Sequence, residues 1–299
     1  DALNFFSKAI NLNKNYYSSY VNMGLTHALL RNYEIANKYY LKAIDLKPQN
    51  SDVYYYLGNS LNEIGQYEKS IEAYTKVIKR NPKHVKAYNH MGIAYSEINK
   101  FDDAMRLYKT AIKIDPEYKK PYNNLGNALR QTSKILEAIK SYDQAIKIDP
   151  NYAKANFGKG FCLLLLGKYR EGWGYYKWRL SGKLLIKEIV ESYNLPILRR
   201  KNNLKNKKIL ILSEQGLGDT IIFSRYAKIL ADRGAIVTLR VQKRLYKIML
   251  GLDDRVKIIT KIVNKNIFDF VVSLLDLPSI FDTTSETIPS KCPYIKSDI

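Results

Sequence analysis

The segment "YNNLGNALRQTSKILEAIKSYDQAIKIDP", residues 122–150, holds the pattern that decides the fold of the N-terminal part of the chain. Its glycine at 126, tyrosine at 142 and proline at 150 each recur with a spacing of 34 residues. The recurring residues are Gly24, Gly58, Gly92, Gly126 and Gly160; Tyr40, Tyr74, Tyr108, Tyr142 and Tyr176; and Pro48, Pro82, Pro116 and Pro150. A constant period of this length predicts stacked copies of one supersecondary unit.

Each copy is predicted to contain two helices. In "IEAYTKVIK", residues 71–79, apolar side chains recur at three- and four-residue spacings, as on one face of a helix. Three of the four prolines follow Asp or Asn, and the second helix should end there because the residue before a proline is pushed out of the helical region. We expect the recurring tyrosines to fill the core between helices.

These markers resemble the tetratricopeptide repeat. Complete units fall at 17–50, 51–84, 85–118 and 119–152, with part of an earlier unit before them and a degenerate unit at 153–186. The resemblance implies a superhelical solenoid over residues 1–186, in which the first helix of each unit forms the concave face. In this family that face binds peptide or protein segments, so a protein or peptide partner is expected.

Asparagines at the sixth and ninth positions of the units are the candidate partner-binding residues. They are Asn22, Asn59, Asn124 and Asn127. The stretch "YNNLGNAL" at 122–129 is similar to the asparagine-bearing repeats of O-GlcNAc transferase, where such amides grip a peptide backbone by donating and accepting hydrogen bonds. The series is interrupted by Leu25, Tyr56, His90 and Ile93. Two interpretations therefore stay open: a peptide-binding ladder, or solvated groove residues without a fixed ligand.

The pattern changes after residue 206, where strands alternate with helices. The runs "KKILILS", "AIVTLRV", "RVKIIT" and "FDFVVSL" predict strands. The stretch "DTIIFSRYAKILADRG" predicts a helix that buries Ile222, Tyr226, Ile229 and Leu230 on one face. This alternation predicts a Rossmann-like α/β domain at 207–299. A basic linker at 187–206 precedes it. The aromatic stretch "YREGWGYYKWRL" at 169–180 is expected to dock on the following elements.

The loop "SEQGLGDTI", residues 213–221, follows the first of these strands. It is not a dinucleotide fingerprint, because Ile221 replaces the third glycine and the second strand lacks a terminal acid. A phosphate-binding Walker loop is excluded as well, since no Gly-Lys-Ser/Thr follows. The turn presents backbone N–H groups and Asp219 to the carboxyl edge of the sheet, where open α/β folds bind ligands. The other interpretation is a helix cap on a glycine-permitted turn.

The stretch "SEQGLGDTIIFSRYAKILADRGAIVTLRV" resembles the opening of heptosyltransferase-like domains of the family 9 glycosyltransferase type, which occur behind tetratricopeptide repeats in bacteria. "EGWGYYKWR", "FDFVVSLLDLPSIF" and "IPSKCPYI" flank it in the same order. The resemblance implies a GT-B enzyme of which residues 207–299 form the acceptor-side half. It assigns Asp219 as the catalytic base and places Gln215, Gly216, Gly218 and Thr220 around the acceptor substrate. Ile222 and Asp276 depart from the family pattern.

Two functions follow from these observations. The chain is either a protein-interaction array attached to half of a glycosyltransferase, or a non-catalytic scaffold with a degenerate Rossmann-like docking module. A nucleotide-sugar donor is expected only with a second half, so the chain alone is expected to be inactive, and no cofactor or metal is expected in it. A carbohydrate or other glycosyl acceptor is the second expected partner.

The composition of the chain limits which other partners and locations are expected. The chain has 299 residues and a formal net charge of +21. The basic residues are spread along it without aromatic–basic interleaving on strands, so nucleic acid is not expected as a partner. The longest apolar run, "FCLLLL" at 161–166, is far shorter than the roughly 20 residues of a membrane-spanning helix. Two widely separated cysteines favour a reducing compartment, and a cytoplasmic location is expected.

Overall fold

The computed structural model describes residues 2–181, 192–214, 216–262, 264, 267–290 and 294–296. The chain divides into two compact units, Asp1–Ala155 and Asn156–Ile299. Residues 182–191, which contain the first part of the predicted linker, lie outside the described residues. No helix among the described residues is both long and apolar enough to cross a membrane.

The first unit is a stack of antiparallel helix pairs. Its helices are α1 (Ala2–Leu12), α2 (Tyr17–Leu29), α3 (Tyr33–Leu46), α4 (Ser51–Glu63), α5 (Tyr67–Arg80), α6 (Val85–Glu97), α7 (Phe101–Ile114), α8 (Lys119–Gln131), α9 (Ile135–Ile148) and the beginning of α10 (Ala153–Leu165). Each even-numbered helix from α2 to α8 packs on the helix that follows it, and each odd-numbered helix from α3 to α7 packs on the next pair. The predicted helical solenoid is confirmed.

A contact between glycine and tyrosine holds each pair together. Tyr74 and Tyr142 are fully buried. A Cβ atom built on Gly58 would lie 2.6 Å from the ring of Tyr74, and one built on Gly126 would lie 2.6 Å from the ring of Tyr142. The ring therefore occupies the space that a side chain would need, and the recurring glycine is required by this close approach.

We predict that Gly126→Ala destabilises the repeat array by about 1–3 kcal/mol, because the added methyl group overpacks the Tyr142 ring. Thermal unfolding followed by far-ultraviolet circular dichroism measures the change. Gly174→Ala is the matched control, since a Cβ there would meet no described atom within 4 Å. That variant should be neutral or more stable by up to about 1 kcal/mol through improved helix propensity. Equal effects of the two substitutions would contradict the packing argument.

The second unit contains a small parallel sheet and the helices around it. After α10 its helices and strands are α11 (Tyr169–Tyr176), β1 (Lys208–Leu212), α12 (Leu217–Asp232), β2 (Ile236–Arg240), α13 (Tyr246–Met249), β3 (Val256–Ile259), β4 (Phe270–Ser273) and α14 (Leu277–Ile280). Short 3₁₀ turns occupy Lys177–Ser181, Lys243–Leu245 and Leu274–Asp276. α11 reaches the α/β elements within this unit: the Trp173 ring meets that of Phe223 on α12 edge-on at 6.4 Å.

The four described strands are all parallel, in the order β3-β2-β1-β4. Ile209 of β1 is paired with Val237 of β2 and with Phe270 of β4. The central strand β1 is buried from Ile209 to Leu212, as expected for a parallel strand covered on both faces. The predicted alternation of strands and helices is therefore confirmed as a small parallel sheet.

Part of the predicted basic linker packs against this sheet. The backbone N–H of Leu198 donates to the carbonyl of Val271, and Val271 N–H donates to the carbonyl of Pro196. Leu198 is buried, whereas the neighbouring Arg199 and Arg200 are exposed. This part of the segment therefore contributes the buried side chain of Leu198 to the second unit, whereas Arg199 and Arg200 face solvent.

One expectation for α12 is wrong. Ile222 was expected on the buried face, but half of its surface is exposed. The buried positions of α12 are Thr220, Ser224, Tyr226, Ala227 and Leu230. Small and polar residues occupy the buried face near the start of the helix because that end carries a hydrogen-bonded network, described below.

Candidate functional site

The four predicted groove asparagines lie on the first helices of three repeats. Asn22 is on α2, Asn59 is on α4, and Asn124 and Asn127 are on α8. Asn127 is exposed and the other three are half-buried. Among the described residues the side chain of Asn22 makes no hydrogen bond, whereas the other three amides all do. Among the described residues, the amide of Asn22 is therefore available to a ligand, whereas the amides of Asn59, Asn124 and Asn127 are already hydrogen-bonded within the protein.

Two of these amides are bonded to the core tyrosines of their own repeats. The hydroxyl of Tyr74 donates to Oδ1 of Asn59 over 2.7 Å. The hydroxyl of Tyr142 donates to Oδ1 of Asn127 over 2.8 Å. The tyrosine that fills the core therefore also reaches the groove, a role that the spacing of the repeats alone did not predict.

Asn124 belongs to a chain of amides that joins two repeats. Nδ2 of Asn123 donates to Oδ1 of Asn124 over 3.2 Å, and Nδ2 of Asn124 donates to Oδ1 of Asn89 over 2.9 Å. Asn89 and Asn123 are buried. Because Asn89 lies on α6 and the other two on α8, this chain ties neighbouring first helices together, and a large part of the hydrogen-bonding capacity of Asn124 is used inside the protein.

A pocket of about 380 Å³ lies where α6 and α8 meet. Its lining includes Asn124 and Asn127 from α8 and Ser96 and Glu97 from α6. The structure brings these two predicted asparagines into one pocket, whereas Asn22 and Asn59 do not line it. The pocket is a polar recess in the series of first helices.

At an interruption of the asparagine series stands a cluster of aromatic rings. The rings of Tyr55 and Tyr74 lie 5.7 Å and 6.2 Å from that of His90. Burial lowers the pKa of His90 to about 4, and the nearby positive charge of Lys120 acts in the same direction. His90 is therefore neutral near pH 7, and this position carries an aromatic ring where the next repeat presents the amide of Asn124.

The second candidate site is the loop after β1. Gly216 is the N-cap of α12, and Gly218 and Asp219 lie in its first turn. Asp219 is exposed, and its Oδ2 would lie 2.6 Å from a Cβ atom built on Gly216. The carboxylate thus folds back over the start of the helix, from the third helical position rather than the cap position, where an acid complements the helix dipole. The predicted site residue Gln215 lies outside the described residues.

Thr220 faces inward. Its hydroxyl lies 2.9 Å from the carbonyl oxygen of Gly216 and 3.1 Å from Oε1 of Gln242, and the residue is buried. Gln242 in turn donates from Nε2 to the carbonyl of Glu214. These bonds fix the loop to the residues that follow β2. Gly218 differs, because a Cβ there would meet no described atom within 4 Å, so the space over this glycine is open.

A buried arginine organises the carboxyl edge of the sheet. Arg179, in the 3₁₀ turn after α11, is only 6% exposed; its Nη2 lies 2.6 Å from Oε1 of Glu214 and its Nη1 lies 2.8 Å from Oδ1 of Asp276. The Ser273 hydroxyl also donates to Glu214, and the ring of Tyr176 lies 5.1 Å from the guanidinium. Burial raises the pKa of Asp276, and the charge of Arg179 opposes that rise.

Sequence reasoning missed this network, apart from noting Asp276 as a departure from a family pattern. The available signal was positional: Glu214 and Ser273 each lie at or just after the end of a buried parallel strand. Carboxyl ends of parallel strands meet at one edge of a sheet. Nothing in the spacing indicated that the cation would come from residue 179, well before the first strand.

We predict that Arg179→Met destabilises the second unit by about 3–5 kcal/mol, because two partly buried carboxylates lose the buried cation that they share. Trp173 and Trp178 are the only tryptophans of the chain and both lie in this unit, so tryptophan fluorescence during urea unfolding reports on it. Arg106→Met is the control: Arg106 pairs with Asp103 over 2.7 Å at an exposed site and should cost no more than about 1 kcal/mol. Similar costs for both variants would contradict a structural role for the buried network.

The comparisons with known proteins identify the helical part. Tetratricopeptide repeat models match residues 17–50, 51–84, 85–118 and 107–140, and a TPR repeat model matches 126–167. Residues 17–167 are therefore tetratricopeptide repeats, and this part of the predicted resemblance is confirmed. No curated protein matches the sequence of the chain.

Solved structures agree with this fold. MamA is 23% identical with a TM-score of 0.50, covering 61% of this chain and 97% of MamA. Pseudomonas aeruginosa pilF is 20% identical with a TM-score of 0.51, covering 56% of this chain and 76% of its own. Yeast Tom70 is 21% identical with a TM-score of 0.51, covering 62% of this chain and 40% of its own. At these identities the likeness establishes a shared fold.

Proposed function

We propose that the repeat array binds an extended peptide or protein segment along its first helices. The observation that carries this proposal is the polar pocket between α6 and α8, where the exposed amide of Asn127 stands beside that of Asn124. Amides that can donate and accept are suited to a peptide backbone, whose N–H and C=O groups need partners when they leave water.

The repeat architecture supports the same function. Stacked helix pairs place equivalent first-helix positions side by side and so create an extended binding surface. The aromatic rings around the neutral His90 lie on the repeats that precede the one carrying Asn124 and Asn127. A surface with both characters suits a polypeptide, which carries a polar backbone and apolar side chains.

We predict that Asn127→Ala weakens a bound peptide about threefold to tenfold, the effect of losing one hydrogen-bonding group. The probe is the tightest 12-residue peptide selected from a phage-displayed random library against the whole chain, with affinity measured by fluorescence anisotropy. Gln144→Ala is the control, because Gln144 is an exposed amide on α9, the second helix of the same repeat. Unchanged affinity in Asn127→Ala would remove the role of this pocket.

A second proposed function concerns the α/β unit: it forms the acceptor-side half of a glycosyltransferase. The observation in its favour is the loop from β1 to α12, which lies at the carboxyl edge of a parallel sheet and carries the exposed Asp219 and the open Gly218. In this proposal Asp219 removes the proton of an acceptor hydroxyl, while Gln215, Gly216, Gly218 and Thr220 shape the acceptor side. A second half would hold the nucleotide-sugar donor.

The alternative for this unit is a non-catalytic docking module. The bonding of Arg179 to Glu214 and Asp276 favours it, because these groups at the carboxyl edge already have protein partners. The two proposals differ in what they require of Asp219. A base must keep its ionisable carboxylate, whereas a helix-terminal acid can be replaced by its amide.

We predict that Asp219→Asn lowers sugar transfer about 10²–10⁴-fold in a protein that joins this sequence to a donor-binding half, because a positioned base contributes that much. The melting temperature should change little. Asp232→Asn, at the exposed opposite end of α12, is the matched control and should retain full transfer. If Asp219→Asn also retains full transfer, Asp219 serves only the helix terminus and the docking module becomes the better description.

A further inference from the structure

We propose that Tyr142 is a positioning residue of the groove, which orients the Asn127 amide so that its N–H groups donate to backbone carbonyls of a bound peptide. The inference rests on the peptide-binding function proposed above. It specifies which end of the amide meets the peptide and therefore which backbone group of the peptide is recognised.

The Tyr142 ring is held in a fixed place. It is fully buried, and its ring atoms fill the space beside Gly126, where a Cβ would lie 2.6 Å away. The hydroxyl at the end of this ring lies 2.8 Å from Oδ1 of Asn127. Gly126 directly precedes Asn127 on α8. The same turn of this helix therefore leaves space for the Tyr142 ring and carries the amide that accepts the hydrogen bond from its hydroxyl.

This hydrogen bond sets the direction of the amide. The hydroxyl donates its proton to Oδ1, so the carbonyl end of the amide faces the tyrosine and Nδ2 lies on the other side. Asn127 is exposed and lines the pocket. Among the described residues Nδ2 of Asn127 has no hydrogen-bond partner. The amide of Asn127 therefore presents two N–H donors to the pocket. A ligand group that binds them must be a hydrogen-bond acceptor.

The other complete repeats lack this arrangement. Tyr40 has Leu25 at the place of the asparagine, and the hydroxyl of Tyr108 meets Oγ of Ser96 at 3.1 Å. Tyr74 donates to Asn59 in the same way, but Asn59 is half-buried and does not line the pocket.

The charges around the pocket favour a neutral acceptor. Glu97 and Arg130 both line it, so a carboxylate ligand would meet one charge of each sign. A backbone carbonyl of an extended peptide needs only the donors and carries no net charge. We therefore assign the pocket to an internal peptide carbonyl rather than to a chain terminus or an acidic side chain.

The test uses the whole chain and the 12-residue peptide selected from the phage-displayed library. Tyr142→Phe removes the orienting hydroxyl and keeps the ring; it should weaken the peptide about twofold to tenfold. Tyr40→Phe is the matched control, because Tyr40 occupies the same place in its repeat and has no amide to orient. It should leave affinity unchanged, with a similar melting temperature.

A second variant separates donors from acceptors. Asn127→Asp can still accept from Tyr142 but has no N–H to donate, so it should bind the peptide at least as poorly as Asn127→Ala. Replacing peptide carbonyl oxygens one at a time by sulfur, a weaker acceptor, should reveal one position that loses affinity for the wild type and not for Asn127→Ala.

The outcomes distinguish failure of the orienting role of Tyr142 from failure of the peptide-binding function. If Asn127→Ala weakens binding while Tyr142→Phe or Asn127→Asp binds like the wild type, the orientation inference is overturned and the peptide-binding function stands. If no peptide is selected, or if Asn127→Ala itself has no effect, the proposed pocket fails and this inference fails with it. Loss of affinity in Tyr142→Phe and Asn127→Asp, with Tyr40→Phe unchanged, supports it.

Discussion

The stacking of a buried tyrosine on a glycine backbone is the contact on which the helical part of this protein depends. In each of the four complete repeats, a Cβ atom on the glycine would come within 2.4–2.6 Å of the tyrosine ring. Such a distance leaves no room for any other residue at the glycine. The ring buries its apolar body between the two helices of a repeat. Because the same contact recurs with the period of the sequence, one local requirement fixes the whole stack.

The second unit depends on a different kind of interaction, a buried ion pair. Arg179 gathers Glu214, Asp276 and Ser273 at the carboxyl edge of the sheet. A buried charge without a partner destabilises the folded state. The contacts of Arg179 therefore favour the one arrangement in which the ends of β1 and β4 lie beside the turn after α11. The same edge holds Asp219, and any chemistry proposed for Asp219 has to operate beside this fixed network.

The helices and strands of this protein could be predicted from its sequence, but the hydrogen bonds and ion pairs between side chains far apart in the chain could not. The repeats could be predicted because their glycines, tyrosines and prolines act within one unit of 34 residues. The parallel strands could be predicted because their apolar runs are continuous. Ile222 was misplaced because helical periodicity alone does not reveal that Thr220 turns inward to bond with Gln242 after β2. The Arg179 network and the bond from Asn124 to Asn89 join residues from different elements, for which no spacing rule exists.

The pairing of tyrosine with asparagine also bears on how such an array could acquire a new specificity. The core contact uses the ring of the tyrosine and leaves its hydroxyl at the edge of the groove, so every complete repeat already carries the orienting group. A single exchange, Leu25→Asn beside Tyr40, would install an oriented amide without a second mutation. Recognition points can therefore be gained or lost one repeat at a time while the stack itself is inherited unchanged.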